Sequence, residues 1–187
     1  MFHDLDYKDW PQKMKNLRQN RTDEIETLGN VIAILENIQT GKKQIHVGNN
    51  IVTNAGDLYY AQSACGESPT KDFDAGGLRL GSNSADPTKN SSDVGTFLTG
   101  TAHSIDATYE KTNDGDSDNT GAGTDIVTWR YSYLVSEGNV NNIIEGAIVD
   151  NTTTPTAALC HFEFPASFNK TASDTLKIFV NHTMNGV

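Results

Sequence analysis

From residue 44 to the end of the chain, apolar and polar residues alternate over short stretches separated by turn-forming residues. A period of two is typical of strands that bury one face. The clearest case is TDIVTWRYSYLVSE, where one face of the predicted strand carries Val127, Trp129, Tyr131, Tyr133 and Val135. Further strands are predicted in QIHVGNNIVTNAG, GGLRLGS, SIDATYEKT, NIIEGAIVD, ALCHFEF and DTLKIFVNHTM. Their spacing predicts a mainly β chain with an antiparallel β-sandwich or barrel.

Two segments depart from this alternation and predict helices. DLYYAQSAC, at 57–65, is predicted to form a short helix between strands. Residues 12–40 predict a longer one, because apolar residues recur there at intervals of three and four. Gly41, followed by two lysines, is a suitable helix end. The apolar seam of the long helix comprises Met14, Ile25, Leu28, Val31, Ile32, Leu35 and Ile38.

The seam of the long helix is narrow, and arginines interrupt it toward the N-terminus. It is regular over about two turns, whereas a stable coiled coil needs more heptads than that. The helix would therefore pack on its own domain or a neighbouring subunit, or else begin a short oligomeric stalk. We expect an N-terminal helical arm at residues 1–45 and a β domain at 46–187. A parallel α/β sheet is not expected, because no strand–helix–strand rhythm occurs.

Composition and charge narrow the functional classes. Hydrophobic residues make up 36% of the 187 residues and the mean hydropathy is −0.49, so we expect a thin core with much loop. The net charge of −10 falls wholly on residues 46–187, since 1–45 contains seven basic and seven acidic residues. An acidic domain repels phosphate backbones, which argues against direct nucleic-acid binding. The alternative is that the charge serves solubility alone.

Targeting signals and cysteines give few constraints. No run of about 18 apolar residues occurs, so no membrane-spanning helix and no membrane partner are expected. The N-terminus, MFHDLDYKDW, lacks the basic-then-apolar pattern of a signal peptide, so we expect no passage through a secretion channel. Cys65 and Cys160 are too few and too far apart for a disulfide framework. Cys160 alternates into a strand and is expected to be buried, with a disulfide to Cys65 as the alternative.

The sequence carries no strong catalytic motif. Its five histidines have no ligand spacing in common, and it contains no HExxH, CxxC, GxSxG or phosphate-binding glycine loop. His161 and His182 fall in predicted strands and are expected to be structural. Glu145 and Asp150 bracket a strand as a carboxylate pair, but such pairs are common in acidic chains. The sequence therefore predicts neither an enzyme nor a cofactor.

The stretch TNDGDSDNTGAGTD, at 112–125, is a candidate calcium site, because calcium takes about six to eight oxygen ligands. Four aspartates have the spacing of a calcium-binding loop: Asp114, Asp116, Asp118 and Asp125. Against a helix–loop–helix site, Asn119 stands where glycine is wanted and the flanks are predicted strands. We favour the alternative, a solvated hairpin tip, and keep calcium as the minority hypothesis.

Four motifs follow one another between about residues 46 and 185. They are a strand ending in Asn-x-Gly before a short helix (IVTNAGDLYYAQ), a Leu-Gly strand before a turn (LRLGSNSADPTKNSSD), a Glu-centred strand (NNIIEGAIVD) and two closing strands (LCHFEFPASFNKTASDTLKIFVNHTM). In this order they resemble a family of small virion proteins of tailed bacteriophages. The chain has Glu-Gly-Ala-Ile at 145–148 where that family often has Glu-x-Gly-Leu.

The resemblance implies a non-enzymatic virion structural protein. The first hypothesis is a capsid decoration (cement) protein whose arm seam binds the major capsid protein or another virion protein. It would be a homo-oligomer, such as a trimer, located in the virion after assembly in the host cytoplasm. The alternatives are a tail, baseplate or fibre-attachment component, and a glycan-binding module. The last needs exposed aromatic side chains, whereas those at 129, 131 and 133 are expected in the core.

Overall fold

The computed structural model describes residues 28–84, 86–112 and 125–184, which form an eight-stranded antiparallel sheet and one helix. The elements are β1 Leu28–Asn37, β2 Lys43–Val52, α1 Asn54–Ala64, β3 Gly77–Gly81, β4 Lys111–Thr112, β5 Ile126–Tyr133, β6 Val140–Val149, β7 Ala158–Lys170 and β8 Asp174–Thr183. The strands lie in the order β3-β6-β7-β2-β1-β8-β5-β4. The prediction of a mainly β, antiparallel fold is confirmed. The strands form one half-barrel sheet rather than two stacked sheets.

The core lies on the concave face of the half-barrel and draws on both ends of the sheet. Leu78 and Leu80 of β3 share it with Trp129, Tyr131 and Tyr133 of β5. The three aromatic side chains are at most 1% exposed, so the prediction that they belong to the core is confirmed. From Trp129 to Tyr133 the alternation of β5 therefore corresponds to one buried face, whereas Ile126 and Thr128 are buried on the other face.

The long predicted helix is wrong over residues 28–37, which form the strand β1. This strand pairs along its length with β2 on one side and β8 on the other. It is apolar on both faces, since Val31 and Leu35 lie in the core while Ile32 is buried on the convex face. A central strand buried on both faces loses the alternation that identifies strands, and its apolar run mimics helical spacing.

The residues of the predicted apolar seam therefore do not lie together on one helix. Leu28 is the first residue of β1, and Ile38 lies in the turn after it with 57% of its surface exposed. Met14 and Ile25 fall outside the described residues. The predicted domain boundary at residue 45 falls inside β2, so residues 28–45 are part of the sheet.

Residues 97–106 connect the two sides of the half-barrel. Phe97 and His103 form isolated bridges with β3. At the other side the Asp106 N–H donates to the Arg130 carbonyl of β5 at 2.9 Å. SIDATYEKT was predicted to form a strand, but only its last two residues do, as β4 paired with β5.

Helix α1 lies across one end of the half-barrel and matches the predicted short helix. The Thr53 hydroxyl caps it by accepting the Gly56 N–H at 3.2 Å and donates to the Ala158 carbonyl. Gly56 has to be glycine, because a Cβ there would lie 2.1 Å from the Leu159 carbonyl oxygen. No helix within the described part of the chain has the length and apolarity needed to cross a bilayer.

Candidate functional site

The most elaborate polar cluster lies on the convex face, where Glu145 of β6 is fully buried. Its Oε1 accepts the N–H groups of Asn83 at 2.9 Å and Thr96 at 3.2 Å. Its Oε2 accepts the Gly95 N–H at 3.0 Å and lies 2.8 Å from Nε2 of His161. Burial alone would raise the pKa of Glu145, but these hydrogen bonds lower it overall. The carboxylate is therefore held in its ionised form.

The strand register brings His161 to this carboxylate. His161 pairs with Ala147 on β6, which places it diagonally across from Glu145 on the same face. The other ring nitrogen, Nδ1, lies 3.0 Å from the hydroxyl oxygen of Ser91. When Nε2–H donates to the carboxylate, Nδ1 is left to accept the Ser91 O–H. The three side chains thus form a connected Ser–His–Glu chain.

A Ser–His–Glu chain is also the arrangement of a nucleophile, its base and an orienting acid. Here, however, the Ser91 hydroxyl also accepts the Thr88 N–H at 3.1 Å, inside a turn that the Ser91 N–H closes on the Thr88 carbonyl. The same turn is tied to α1 by the Lys89–Asp57 ion pair at 2.8 Å. The serine oxygen is engaged by its own loop, so the arrangement fits a structural latch better than a nucleophile.

The segment that the Glu145 cluster fixes is the long loop 82–97. The loop also covers a small apolar cluster on the convex face, where Val94 and Phe97 pack against β6 and β7. Arg79 of β3 lies with its guanidinium 3.6 Å from the centre of the Phe97 ring and bonds Asp93 at 2.9 Å. The loop is thus held by a buried carboxylate, an apolar patch and a cation–π contact together.

Other carboxylates fix other loops in the same way. Asp150 accepts the Lys71 ammonium at 2.9 Å and the Thr156 N–H at 2.9 Å. Burial would raise the pKa of Asp150, but its hydrogen bonds lower it far below the ordinary value. Glu145 and Asp150 are therefore engaged with separate loops rather than with each other. Asp106 likewise accepts the Ser132 N–H of β5, and Asp174 accepts the Thr171 N–H within its own turn.

A second polar cluster lies inside the half-barrel beneath α1. The Tyr60 hydroxyl accepts the Trp129 indole N–H at 3.0 Å and lies 2.6 Å from Nδ1 of His182. Burial lowers the pKa of His182 to about 3, so the ring is neutral. The placement of His182 is consistent with the structural role predicted for it.

Glu110 is a half-buried carboxyl that the sequence pattern did not single out. It accepts the Tyr59 O–H at 3.1 Å, and its Oε2 has no partner among the described residues. Burial, and secondarily the charge of Asp74, raise the pKa of Glu110 to about 7, against the opposing effect of the Tyr59 hydrogen bond. Glu110 can therefore take up a proton near neutral pH.

The calcium hypothesis stays a prediction for most of its residues. Asp114, Asp116 and Asp118 fall outside the described residues, while Asp125 is exposed and its carbonyl accepts the Met184 N–H at 2.7 Å. Across 28–84, 86–112 and 125–184, no three acidic, histidine or cysteine side chains are grouped so as to hold a metal ion.

The two cysteines are free, so the alternative of a disulfide between them is not formed. Cys65 is exposed just after α1, whereas Cys160 is buried in the core as predicted. Burial raises the pKa of the Cys160 thiol to about 12. The thiol of Cys160 is therefore unreactive in the folded protein.

Comparison with known proteins gives no assignment: no family model, curated protein or solved structure matches this chain. The function has to be argued from the residues and their geometry. Among the described residues, the polar clusters are engaged mainly in holding loops on the sheet.

Proposed function

We propose that this chain is a non-enzymatic structural component of a virus particle, in the first place a capsid decoration protein. The observation that carries the proposal is the use of a buried and a half-buried carboxylate, Glu145 and Asp150, as loop anchors. The Glu145 carboxylate accepts three backbone N–H groups and contacts His161. The Asp150 carboxylate accepts a backbone N–H of the loop that follows β6. Such anchors give a surface of fixed shape, which suits a protein that docks on its neighbours.

The acidic composition supports the same role. A net charge of −10 keeps copies of the protein soluble and separates them until a specific contact forms. The sequence resemblance to small phage virion proteins is a second, independent support. The partner would be the major capsid protein or another virion protein.

The glycan-binding alternative is less well supported. Stacking on a sugar ring needs an exposed aromatic face, but the aromatic residues of β5 face the core. The strongly exposed large hydrophobic side chains of the described residues are all aliphatic: Ile38, Leu58 and Leu134. A sugar platform built from the described residues therefore lacks its main element.

The anchor proposed from the sequence has to be restated. Val31, Ile32 and Leu35 are buried in the domain, so they are not available to a partner. The arm that remains as a candidate anchor is residues 1–27, which contains Met14 and Ile25. We propose that this segment makes the contact with the particle.

The experiment is a copy-number measurement on purified particles. A decoration protein should be present at a fixed ratio to the major capsid protein, measured by quantitative gel densitometry. A variant lacking residues 1–27 should be soluble and folded by circular dichroism but absent from the particles. A few copies per particle that follow isolated tails would instead support the tail alternative, and absence from particles would refute the proposal.

A further inference from the structure

One end of the half-barrel, opposite α1, is formed by three turns. We call it the turn end, and it comprises residues 38–42, 134–139 and 171–173. The strands β1 and β5 finish there, and β8 begins between them. Because neighbouring strands are about 4.8 Å apart, the turns after β1 and β5 lie roughly 10 Å from each other.

The turn end carries two of the strongly exposed aliphatic side chains. Ile38 is 57% exposed in the first turn and Leu134 is 60% exposed in the second. Both turns are well fixed, since the Ile38 N–H donates to the Ser173 carbonyl at 2.9 Å and the Leu134 N–H donates to Glu137 at 2.8 Å. The buried Lys170 ammonium also donates to the Leu134 carbonyl at 2.8 Å. The apolar side chains are therefore presented on rigid backbone.

The turn end differs from the rest of the surface in its charge. The charged side chains that reach the surface in these turns and directly beside them balance, two acidic against two basic: Glu36, Lys42, Lys43 and Glu137. The chain as a whole has a net charge of −10, so the excess of negative charge lies elsewhere. Two copies of the protein repel each other least when they approach through this end.

We propose that the turn end is a self-association surface, on which a second copy of this chain docks through a two-fold axis. The charges on it are self-complementary, since exposed Lys42 lies in the turn of Ile38 while Glu137 lies in the turn of Leu134. A two-fold axis near residues 171–173 places the turn 38–42 of each copy against the turn 134–139 of the other copy. Apolar side chains then meet at the centre, with Lys42 facing the partner's acidic turn.

A second copy is the occupant favoured by this arrangement because both signs of charge occur on one patch. A partner of a single charge would be attracted by one turn and repelled by the other. A standard interface needs about 20 residues on each side. The two turns supply the centre, and the turn at 171–173 with the adjoining strand ends supplies the rim.

The test is the mass in solution of the purified full-length chain, measured by sedimentation equilibrium over a wide range of concentration. The wild type should reach twice the monomer mass of 20.3 kDa. Leu134→Asp should weaken the dimer at least about tenfold, as expected for a central apolar contact. Lys42→Glu should weaken it by a smaller factor that shrinks as salt is added, as expected for a charge at the rim.

The matched control is Leu58→Asp, which places the same charge on a side chain that is 50% exposed on α1, at the opposite end. It should leave the dimer unchanged, and circular dichroism should show that all three variants are folded. A monomer at every concentration, a trimer, or equal weakening by the two aspartate variants would overturn the proposal. The measurement uses no particle, so its result is independent of the proposed virion function.

Discussion

Replacing Glu145 with glutamine is the sharpest perturbation of the loop anchor. The two side chains have nearly the same shape, so the change removes a charge and one acceptor without leaving a cavity. In wild type, each carboxylate oxygen accepts two donors. In the variant, one of these positions becomes an NH2 group that faces donors, whichever way the amide is turned. Two donors then lose their acceptor, and those on the loop are only partly buried.

The size of the effect follows from these contacts. Leaving a buried donor without an acceptor costs about 1–3 kcal/mol. His161 can change its tautomer and accept from the new amide, which would rescue one of the lost bonds. The expected loss in the free energy of unfolding is therefore about 1–3 kcal/mol at neutral pH, once one of the two lost bonds is rescued. For a chain of this size, that corresponds to a fall in melting temperature of roughly 5 °C.

The pH dependence of stability provides a second readout. The folded-state pKa of Glu145 lies below its ordinary value of 4.5. The stabilisation by its ionised form is therefore fully present above pH 4.5 and is lost as the pH falls through the lower folded-state pKa. Glu145→Gln cannot titrate, so its stability should fall less steeply over this acidic range than that of wild type.

The assay is thermal and urea unfolding followed by the fluorescence of buried Trp129 and by circular dichroism. Glu163→Gln is the matched control, because Glu163 lies directly opposite Glu145 on β7 but is only half-buried, with no side-chain partner among the described residues. It should melt within about 2 °C of wild type, as a surface change does. A Glu145→Gln variant as stable as this control would refute the role of the carboxylate as an anchor.

Three further predictions test the interior. Glu110 has a folded-state pKa of about 7 against an ordinary 4.5, so its ionisation destabilises the fold as the pH rises through that window. Glu110→Gln should therefore be about 1–2 kcal/mol more stable than wild type in urea unfolding at pH 8, after allowance for solvent screening. At pH 4 the variant should be no more stable than wild type. Gly146→Ala should lose about 1–3 kcal/mol in the same assay, because its Cβ would lie 2.3 Å from the Phe162 ring. Iodoacetamide should label one thiol per folded chain by mass spectrometry, at Cys65, and two after unfolding, since Cys160 is buried.

The strands β5 and β1 mark the limit of what hydrophobic patterns predict in this fold. In β5 the residues between the core aromatics are polar, so both the strand and its buried face were predictable. In β1 neighbouring residues are buried in alternate directions, Val31 into the core and Ile32 away from it. The local sequence does not indicate that β2 and β8 flank this strand. Its apolar run therefore fitted helical spacing as well as strand spacing.

The candidate site was less predictable than the fold. Ser91, Glu145 and His161 meet because β6 and β7 pair in a particular register and a long loop folds back over them. The sequence alone gave their chemical types, and alternation correctly placed His161 in a strand. The sequence did not predict the register of β6 and β7, nor that the loop 82–97 folds back over them. Both are decided by contacts between residues that are distant in the chain.

The carboxylate anchors explain how a chain with 36% hydrophobic residues keeps long loops in place. A loop lying on a sheet buries backbone N–H groups that need acceptors, and apolar packing supplies none. Glu145 and Asp150 accept several of these groups at once, and their hydrogen bonds favour the ionised form despite burial. One acidic side chain thus satisfies several donors at a position where a leucine would leave them unpaired. Because protonation weakens each anchor as the pH falls through its own folded-state pKa, the loop held by Glu145 should loosen before the loop held by Asp150, whose pKa is lowered further.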